Sequence, residues 1–378
     1  MSTQQFRRIA VLGAGTMGHG ISQIAAQAGY NVSMRDISEE ILQKAMGNIA
    51  SNLDRSVQRG RLSQEEMKNC LSRIKATVDL EEAVSGADIV IEAVPERLDL
   101  KIRILRDVEK LTPSSTTLAT NTSSLSVDEL SHSLSRPNQF IGMHFFNPPA
   151  IMRLVEVVPA PHTLTSVTTE AVEFCKKIGK TPVLVKKDSP GFIVNRVLVP
   201  YLNEAARTLD RGEAKMNEID SAIQFKAKFP MGPFLLMDYI GIDIIADVLG
   251  VFEQKLGPHY KASTSIWNLR SQGKLGRKTN QGFYNYAEGP PKLAEADGTG
   301  FDPKNLLAHM VNEASKLVDD DIADESGIDT AMKLGANLPE GPFEIAKRVG
   351  TNNIISSLKE LSAKHGEGYA LSKHLSKA

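Results

Sequence analysis

Arg7-Arg8-Ile9-Ala10-Val11-Leu12-Gly13-Ala14-Gly15-Thr16-Met17-Gly18 is the stretch on which the reading of this 378-residue chain turns. Ile9 to Leu12 is a short apolar run, which predicts a buried strand. Gly13, Gly15 and Gly18 follow at G-x-G-x-x-G spacing, and His19 to Ala28 has helical periodicity, with Ile21, Ile24, Ala25 and Ala28 on one side. Gly29 ends that helix, and Asn31 to Arg35 reads as a second strand that closes on Asp36. Strand, glycine turn, helix, strand and acid in this order predict a dinucleotide-binding unit. Gly13 permits the tight turn, Gly15 admits a pyrophosphate to the backbone, and Gly18 lets helix and strand close together. The helix N-terminus, with Thr16 and Met17, presents N–H groups and partial positive charge to the phosphates. Asp36 suits a ribose 2′-hydroxyl and repels a 2′-phosphate, which favours NAD over NADP, with Arg35 beside it pulling the other way.

Beyond Asp36, residues 39–58 carry Ile41, Leu42, Ala45, Ile49 and Leu53 at helical steps, and a second polar helix is predicted over 64–71. Arg55, Arg59, Arg61 and Lys68 on this hairpin suit a phosphorylated substrate, or equally a solvated helix face. Asp88-Ile89-Val90-Ile91-Glu92-Ala93-Val94 reads as a buried strand, residues 98–111 as an amphipathic helix with Lys101 in its first turn, and Thr116 to Thr120 as the next strand. Ligands of open parallel sheets sit beyond the carboxyl ends of the strands, which places Glu96, Asn121 and Ser123 around the cofactor's reactive end. Further along, Leu154-Val155-Glu156-Val157-Val158 sets one carboxylate among apolar residues. Buried carboxylates need a partner, and His144, in Gly142-Met143-His144-Phe145-Phe146-Asn147-Pro148, is close by in sequence. A strand over 180–187 completes this part, and after Lys187 helical patterning takes over.

The second half repeats itself. Asn203-Glu204-Ala205 recurs as Asn312-Glu313-Ala314, Ile219-Asp220-Ser221-Ala222 as Ile328-Asp329-Thr330-Ala331, and Gly232-Pro233-Phe234 as Gly341-Pro342-Phe343, always 109 residues apart. This register predicts two helical units in tandem, packed with pseudo-two-fold symmetry. The second copy has Lys304 where the first has Asn195, which marks it as structural.

Composition sets outer bounds. Lys and Arg number 44 against 45 Asp and Glu, so bulk charge gives no support for a nucleic-acid partner. Cys70 and Cys175 share no metal-ligand or redox spacing and suggest a reducing compartment, so no metal is expected. No apolar run reaches membrane-spanning length. Met1 to Gln5 is polar and too short for a signal peptide, which makes the cytoplasm the default.

Taken together, these pieces resemble the 3-hydroxyacyl-CoA dehydrogenases of fatty-acid β-oxidation and its reverse. The resemblance rests on the glycine turn, Glu92-Ala93-Val94-Pro95-Glu96, Asn121-Thr122-Ser123-Ser124, the segments around His144 and Glu156, Asp188-Ser189-Pro190-Gly191-Phe192-Ile193-Val194-Asn195-Arg196, and Leu275-Gly276-Arg277-Lys278-Thr279 with Gly282-Phe283-Tyr284. Asn280 departs from the family pattern, where glycine is usual, and tolerates a left-handed backbone. The resemblance implies NAD-dependent oxidation of (S)-3-hydroxyacyl-CoA to 3-ketoacyl-CoA, reversibly, with 3-hydroxybutyryl-CoA and acetoacetyl-CoA accepted. It implies His144 as catalytic base paired with Glu156, and Ser123 and Asn195 as polar groups at the reacting oxygen. It also implies Asp36, Glu96, Lys101 and Asn121 as NAD contacts with the glycines, and Arg59 against the CoA phosphates. The alternatives are another β-hydroxyacid dehydrogenase, which would use a lysine of the helical domain, and a non-catalytic member of the family.

The expected architecture is an α/β Rossmann-type dinucleotide-binding domain over 1–187 and an all-α domain present as two tandem copies, at 188–286 and 301–378, joined by a linker at 287–300. Single-copy relatives dimerise through the helical domain. A chain with both copies is therefore expected to be a monomer or weak homodimer, its copies packed as an internal pseudo-dimer.

Overall fold

Alternating apolar runs and amphipathic segments fold, in the computed structural model, into helices and, among the described residues, eight strands. The structure describes residues 6–377, so Met1–Gln5, read above for a leader, lie outside the described residues. The chain divides into two units after Ser189.

The first unit holds β1 (Arg8–Leu12), β2 (Asn31–Arg35), β3 (Ile74–Thr77), β4 (Ile89–Glu92), β5 (Thr117–Thr120), β6 (Phe140–Phe145), β7 (Leu154–Pro159) and β8 (Thr181–Leu184). Its helices are α1 (Thr16–Gln27), α2 (Glu39–Gln58), α3 (Gln64–Ser72), α4 (Leu80–Val84), α5 (Leu98–Leu111), α6 (Val127–His132) and α7 (Thr165–Lys177). The strands form one sheet in the order β3-β2-β1-β4-β5-β6-β7-β8. β1 to β6 run parallel in the Rossmann order, whereas β7 pairs antiparallel with β6 and parallel with β8. The sequence reading missed β3. It is an edge strand of four residues whose central Lys75 and Ala76 face solvent, so it carries no apolar run to detect.

Alternate strand residues, among them Ile9, Val11, Ile89, Ile91, Ile141, Met143, Val155 and Val157, are buried in one cluster with α1, α2 and α7. α2 begins at Ser38, whose hydroxyl accepts from Glu40 N–H, and α3 at a capping box formed by Ser63 and Glu66. α1 has neither: Gly15 gives it no side-chain cap and no acid stands in its first turn. Gly13 adopts φ +95, and a Cβ there would lie 2.5 Å from the Ala93 carbonyl oxygen. At Gly18 a Cβ would lie 1.7 Å from the Gly13 carbonyl oxygen, so helix and strand touch backbone to backbone.

The second unit is helical: α8 (Val194–Asp210), α9 (Met216–Ser221), α10 (Pro233–Ile240), α11 (Ile242–Leu256), α12 (Thr264–Ser271), α13 (Lys304–Asp319), α14 (Glu325–Gly335), α15 (Pro342–Val349), α16 (Thr351–His365) and α17 (Lys373–Ser376). Buried Asp220 accepts the N–H groups of Phe234 and Leu235 at 2.9 and 3.1 Å and so caps α10. Asp329 takes those of Phe343 and Glu344 at 2.8 and 3.2 Å and caps α15. Asn203 bridges the Lys261 carbonyl and the Ser263 N–H, and Asn312 bridges the Ala370 carbonyl and the Ser372 N–H. Tyr260 donates to Glu313 at 2.7 Å and Tyr369 to Glu204 at 2.6 Å. Segment 287–300 is docked rather than free: Gly298 lies against the backbone of Ser221 and Ala222, and Lys226 Nζ reaches the Thr299 and Phe301 carbonyls. Asn280 takes φ 55, the left-handed backbone that its side chain tolerates.

Gly18→Ala tests the close approach of α1 to β1. The added methyl is expected to push the helix off the strand, destabilise the first unit by about 1–3 kcal/mol, and lower NADH affinity, read by urea unfolding and fluorescence titration.

Candidate active site

The carboxyl ends of β1, β4 and β5 stand side by side, because Leu12 pairs with Glu92 and Glu92 with Thr120. Each feeds a turn of the candidate site. After β1 comes the glycine turn, held by a 2.8 Å bond from Gly13 N–H to the Arg35 carbonyl. Asp36 Oδ2 accepts the Ala14 N–H at 2.7 Å and Oδ1 the Ile37 N–H at 2.7 Å, so this carboxylate braces the turn and keeps lone pairs for a ribose. Gly15 and Thr16 are exposed, Met17 is half-buried, and a Cβ at Gly15 would meet nothing within 4 Å. An uncapped helix N-terminus, open backbone at Gly15 and a neighbouring carboxylate fit a dinucleotide such as NAD.

After β4 comes a second layer that the motif reading did not separate. Glu92 is fully buried and receives Lys101 Nζ at 2.7 and 3.0 Å, Thr120 Oγ1 at 2.7 Å and the Val94 N–H at 2.7 Å. Lys101 is only 1% exposed, and its ammonium also meets Glu96 at 3.2 Å. Glu96 in turn accepts from Thr122 Oγ1 at 2.6 Å and from the N–H groups of Ser123 and Ser124 at 2.8 and 3.0 Å. Burial alone would raise the Glu96 pKa, but Lys101 and these donors outweigh it and hold the carboxyl at about 2. Lys101, expected among the cofactor contacts, therefore stands behind Glu96. The loop bearing Ser123 is gripped by Glu96 through backbone and side chain together. The signal for Glu92 was present: it is a carboxylate in an apolar strand, as Glu156 is.

After β5, Asn121 Oδ1 accepts the Phe145 N–H at 2.9 Å and ties this turn to the end of β6. β6 carries His144 and β7 carries Glu156, and the antiparallel register sets the two directly opposite. His144 Nδ1 and Glu156 Oε2 are 2.6 Å apart, with His144 6% and Glu156 0% exposed. In a neutral imidazole a carboxylate at Nδ1 selects the Nδ1–H tautomer, which leaves the lone pair on Nε2. The Phe146 ring lies 4.5 Å from the imidazole.

The structure thus brings Asp36 to the glycine turn, Asn121 to the His144 strand, and Ser123, Glu96 and Lys101 into one network. Asn195 belongs to the helical unit, half-buried in the first turn of α8 where its neighbours are buried. Arg59 is exposed just past the end of α2. Both cysteines are buried; burial pushes the Cys70 thiol up to about 11 and raises that of Cys175 as well. Among the described residues no cluster of His, Cys, Asp or Glu is placed to hold a metal, and no helix is long and apolar enough to cross a membrane.

Known proteins match the chain over both units. Residues 8–189 match the NAD-binding domain of 3-hydroxyacyl-CoA dehydrogenase, and 191–286 and 300–378 match that family's C-terminal domain. The chain is 40% identical over 287 residues to the mitochondrial hydroxyacyl-coenzyme A dehydrogenase of Rattus norvegicus, covering 74% of this chain and 91% of that one. Its structure resembles that of 3-hydroxybutyryl-CoA dehydrogenase from Escherichia coli K12, with a TM-score of 0.93 and 28% identity, covering 99% of this chain and 98% of that one. It also resembles (S)-3-hydroxybutyryl-CoA dehydrogenase from Ralstonia eutropha, with a TM-score of 0.73 and 39% identity, covering 75% of this chain and all of that one. The chain belongs to the 3-hydroxyacyl-CoA dehydrogenase family: a Rossmann-like NAD-binding domain followed by a helical C-terminal domain.

Two outcomes test the network behind Ser123. Lys101→Met strands Glu92 as a buried, uncompensated carboxylate and is expected to cost about 3–5 kcal/mol in urea unfolding, much of it recovered when Glu92→Gln is added. The depressed Glu96 pKa means that this group stabilises the fold fully above the ordinary carboxylate range, and that the contribution is lost as pH falls from 4.5 toward about 2. The stability gap between wild type and Glu96→Gln is therefore expected to shrink from neutral pH to about pH 3.

Proposed function

We propose that this NAD-dependent 3-hydroxyacyl-CoA dehydrogenase works through His144 as acid–base and Glu156 as its orienting partner. It interconverts (S)-3-hydroxyacyl-CoA and 3-ketoacyl-CoA, with short thioesters such as 3-hydroxybutyryl-CoA and acetoacetyl-CoA as substrates in fatty-acid oxidation or a related CoA-thioester route. The observation that carries this reading is the buried 2.6 Å hydrogen bond between His144 Nδ1 and Glu156. NAD, when bound, supplies the hydride acceptor or donor. His144 Nε2 takes the hydroxyl proton in oxidation and returns it in reduction. Glu156 fixes the tautomer and stabilises the imidazolium, as the third member of a catalytic triad does. Ser123, held at its N–H by Glu96, is assigned to the substrate oxygen together with Asn195, so that C3 is presented in one orientation.

The cofactor reading assigns Gly13, Gly15, Thr16, Met17 and Gly18 to the pyrophosphate. Asp36 takes the adenosine ribose, which supports NAD over NADP by repulsion of a 2′-phosphate. Glu96 and Asn121 take the nicotinamide end, and Lys101 serves the site through Glu96 rather than by its own contact. Arg59 is assigned to the CoA phosphates by the family resemblance, and its exposed position leaves it open to them.

We further propose that 188–286 and 301–378 are tandem copies of one helical domain packed as an internal pseudo-dimer, with 287–300 joining them and 1–187 as the cofactor domain. Two findings support this. The C-terminal domain of the family matches in two separate ranges. The paired hydrogen bonds of Asn203 and Asn312, Asp220 and Asp329, and Tyr260 and Tyr369 also recur at the spacing of the sequence repeat. The two tyrosines exchange partners, each reaching the other copy's glutamate, as equivalent residues do across a two-fold axis. The cytoplasm remains the compartment favoured by the cysteine usage.

NADH oxidation with acetoacetyl-CoA tests the chemistry. His144→Ala is expected to lower kcat by roughly 10²–10⁴-fold, with Glu156→Gln losing about 10²-fold; a His144→Ala enzyme that turns over as wild type removes the mechanism. On assembly, light scattering is expected to show a monomer or weak dimer, and a tight dimer built on the helical-domain surface through which single-copy relatives pair would contradict the pseudo-dimer.

A further inference from the structure

We propose that Lys180 is a positioning residue for the catalytic hairpin: its buried ammonium ties down the loop between β6 and β7, and so fixes the register that sets His144 against Glu156. This rests on the reading of those two residues as the acid–base pair.

Lys180 stands immediately before β8 and is 9% exposed. Its Nζ donates to the Pro149 carbonyl and, at 2.7 Å, to the Met152 carbonyl. Both partners are main-chain oxygens of the loop at 146–153, and neither is a carboxylate. Burial lowers the Lys180 pKa, with Arg153 adding to the effect, so an ammonium here carries a desolvation cost. An unbranched apolar side chain would fill the same space without that desolvation. What the ammonium adds is geometry, because it grips two carbonyls of one turn at once.

That turn is closed on itself, since the N–H groups of Ile151 and Met152 both donate to the Pro148 carbonyl at 2.9 Å. The Pro149 ring packs on α1. A Cβ at Gly20 would lie 2.9 Å from Pro149 Cγ and Cδ. The loop is thus held both by Lys180 and by the helix whose N-terminus faces the pyrophosphate site. Thr181 N–H donates to the Arg153 carbonyl at 2.8 Å, which places Lys180 directly beside the point where the loop enters β7. Side chains alternate faces along a strand, so a slip of one residue in this hairpin turns Glu156 away from His144. The 2.6 Å dyad bond tolerates far less displacement than a slip.

The test compares wild type, Lys180→Met, Lys180→Arg, Gly20→Ala and His144→Ala with NADH and acetoacetyl-CoA, alongside NADH binding by fluorescence and thermal unfolding. Lys180→Met is expected to lose about 10–100-fold in kcat while NADH affinity stays within about threefold, the split that misplacement of the reacting groups produces. Lys180→Arg restores donors and is expected to recover most of kcat. Wild-type kcat in Lys180→Met, or a loss matched by NADH affinity and not recovered by Lys180→Arg, overturns the proposal. Should Lys180→Met not fold, Gly20→Ala displaces the same loop from α1. A clear fall in kcat with the fold and the NADH affinity both retained then supports the proposal, and unchanged kcat overturns it. An active His144→Ala enzyme sinks the dyad instead, whereas an inactive one beside a fully active Lys180→Met sinks only the role of Lys180.

Discussion

A carboxylate cannot be carried ionised into a dry strand without a donor to meet it, and in this chain Glu156 meets His144. That one bond dictates a good deal of the surrounding structure. His144 and Glu156 lie on neighbouring strands, so the strands must pair with those two residues opposite. A parallel crossover does not deliver that pairing within so short a connection, whereas an antiparallel hairpin does. The reversal at β7 in an otherwise parallel Rossmann sheet is therefore what sets His144 opposite Glu156.

Charge compensation continues along the same sheet edge. The uncapped N-terminus of α1 is a positive end left for a ligand, whereas the ends of β4 and β5 are closed by Glu92, Lys101 and Glu96. Among these, Lys101 is the counter-charge shared by two carboxylates. Glu96 then passes the constraint to the backbone of Ser123 and Ser124. The loop is thus fixed from buried Lys101 through Glu96, which keeps a small polar side chain in place without a bulky one beside it.

In the helical unit buried carboxylates again meet cations and hydroxyls. Glu313 receives Arg196 and Tyr260 at 2.7 Å, with Lys316 beside them, and Glu204 receives Arg211 and Tyr369. The Arg196 guanidinium also lies over the Tyr260 ring at 4.7 Å. The tyrosine partners repeat at the sequence period, but the arginines do not. Arg196 follows Asn195 in the motif that only the first half of the repeat possesses, and Asn305 occupies the equivalent place in the second.

What the sequence determined by itself was whatever depends on neighbours along the chain. The glycine spacing, the acid after β2 and the apolar runs are local patterns, and the isolated Glu156 announced that it needed a partner. The repeat was legible because its register is unbroken. Tertiary structure decided where long side chains end. Lys101 reads as an ordinary first-turn lysine on an amphipathic helix, yet its ammonium lies inside, because the partner that draws it there is on β4. Lys180 reads as the polar start of a strand, yet it closes on a loop some thirty residues earlier. β3 escaped notice because an edge strand with solvent-facing residues has no hydrophobic signature, and segment 287–300 read as a linker because what holds its end is a close backbone approach at Gly298 and the Lys226 ammonium on the Thr299 carbonyl, neither of which leaves an apolar pattern. Spacing fixes backbone conformation, but the destination of a flexible charged side chain depends on which buried opposite charge or carbonyl the fold brings within reach.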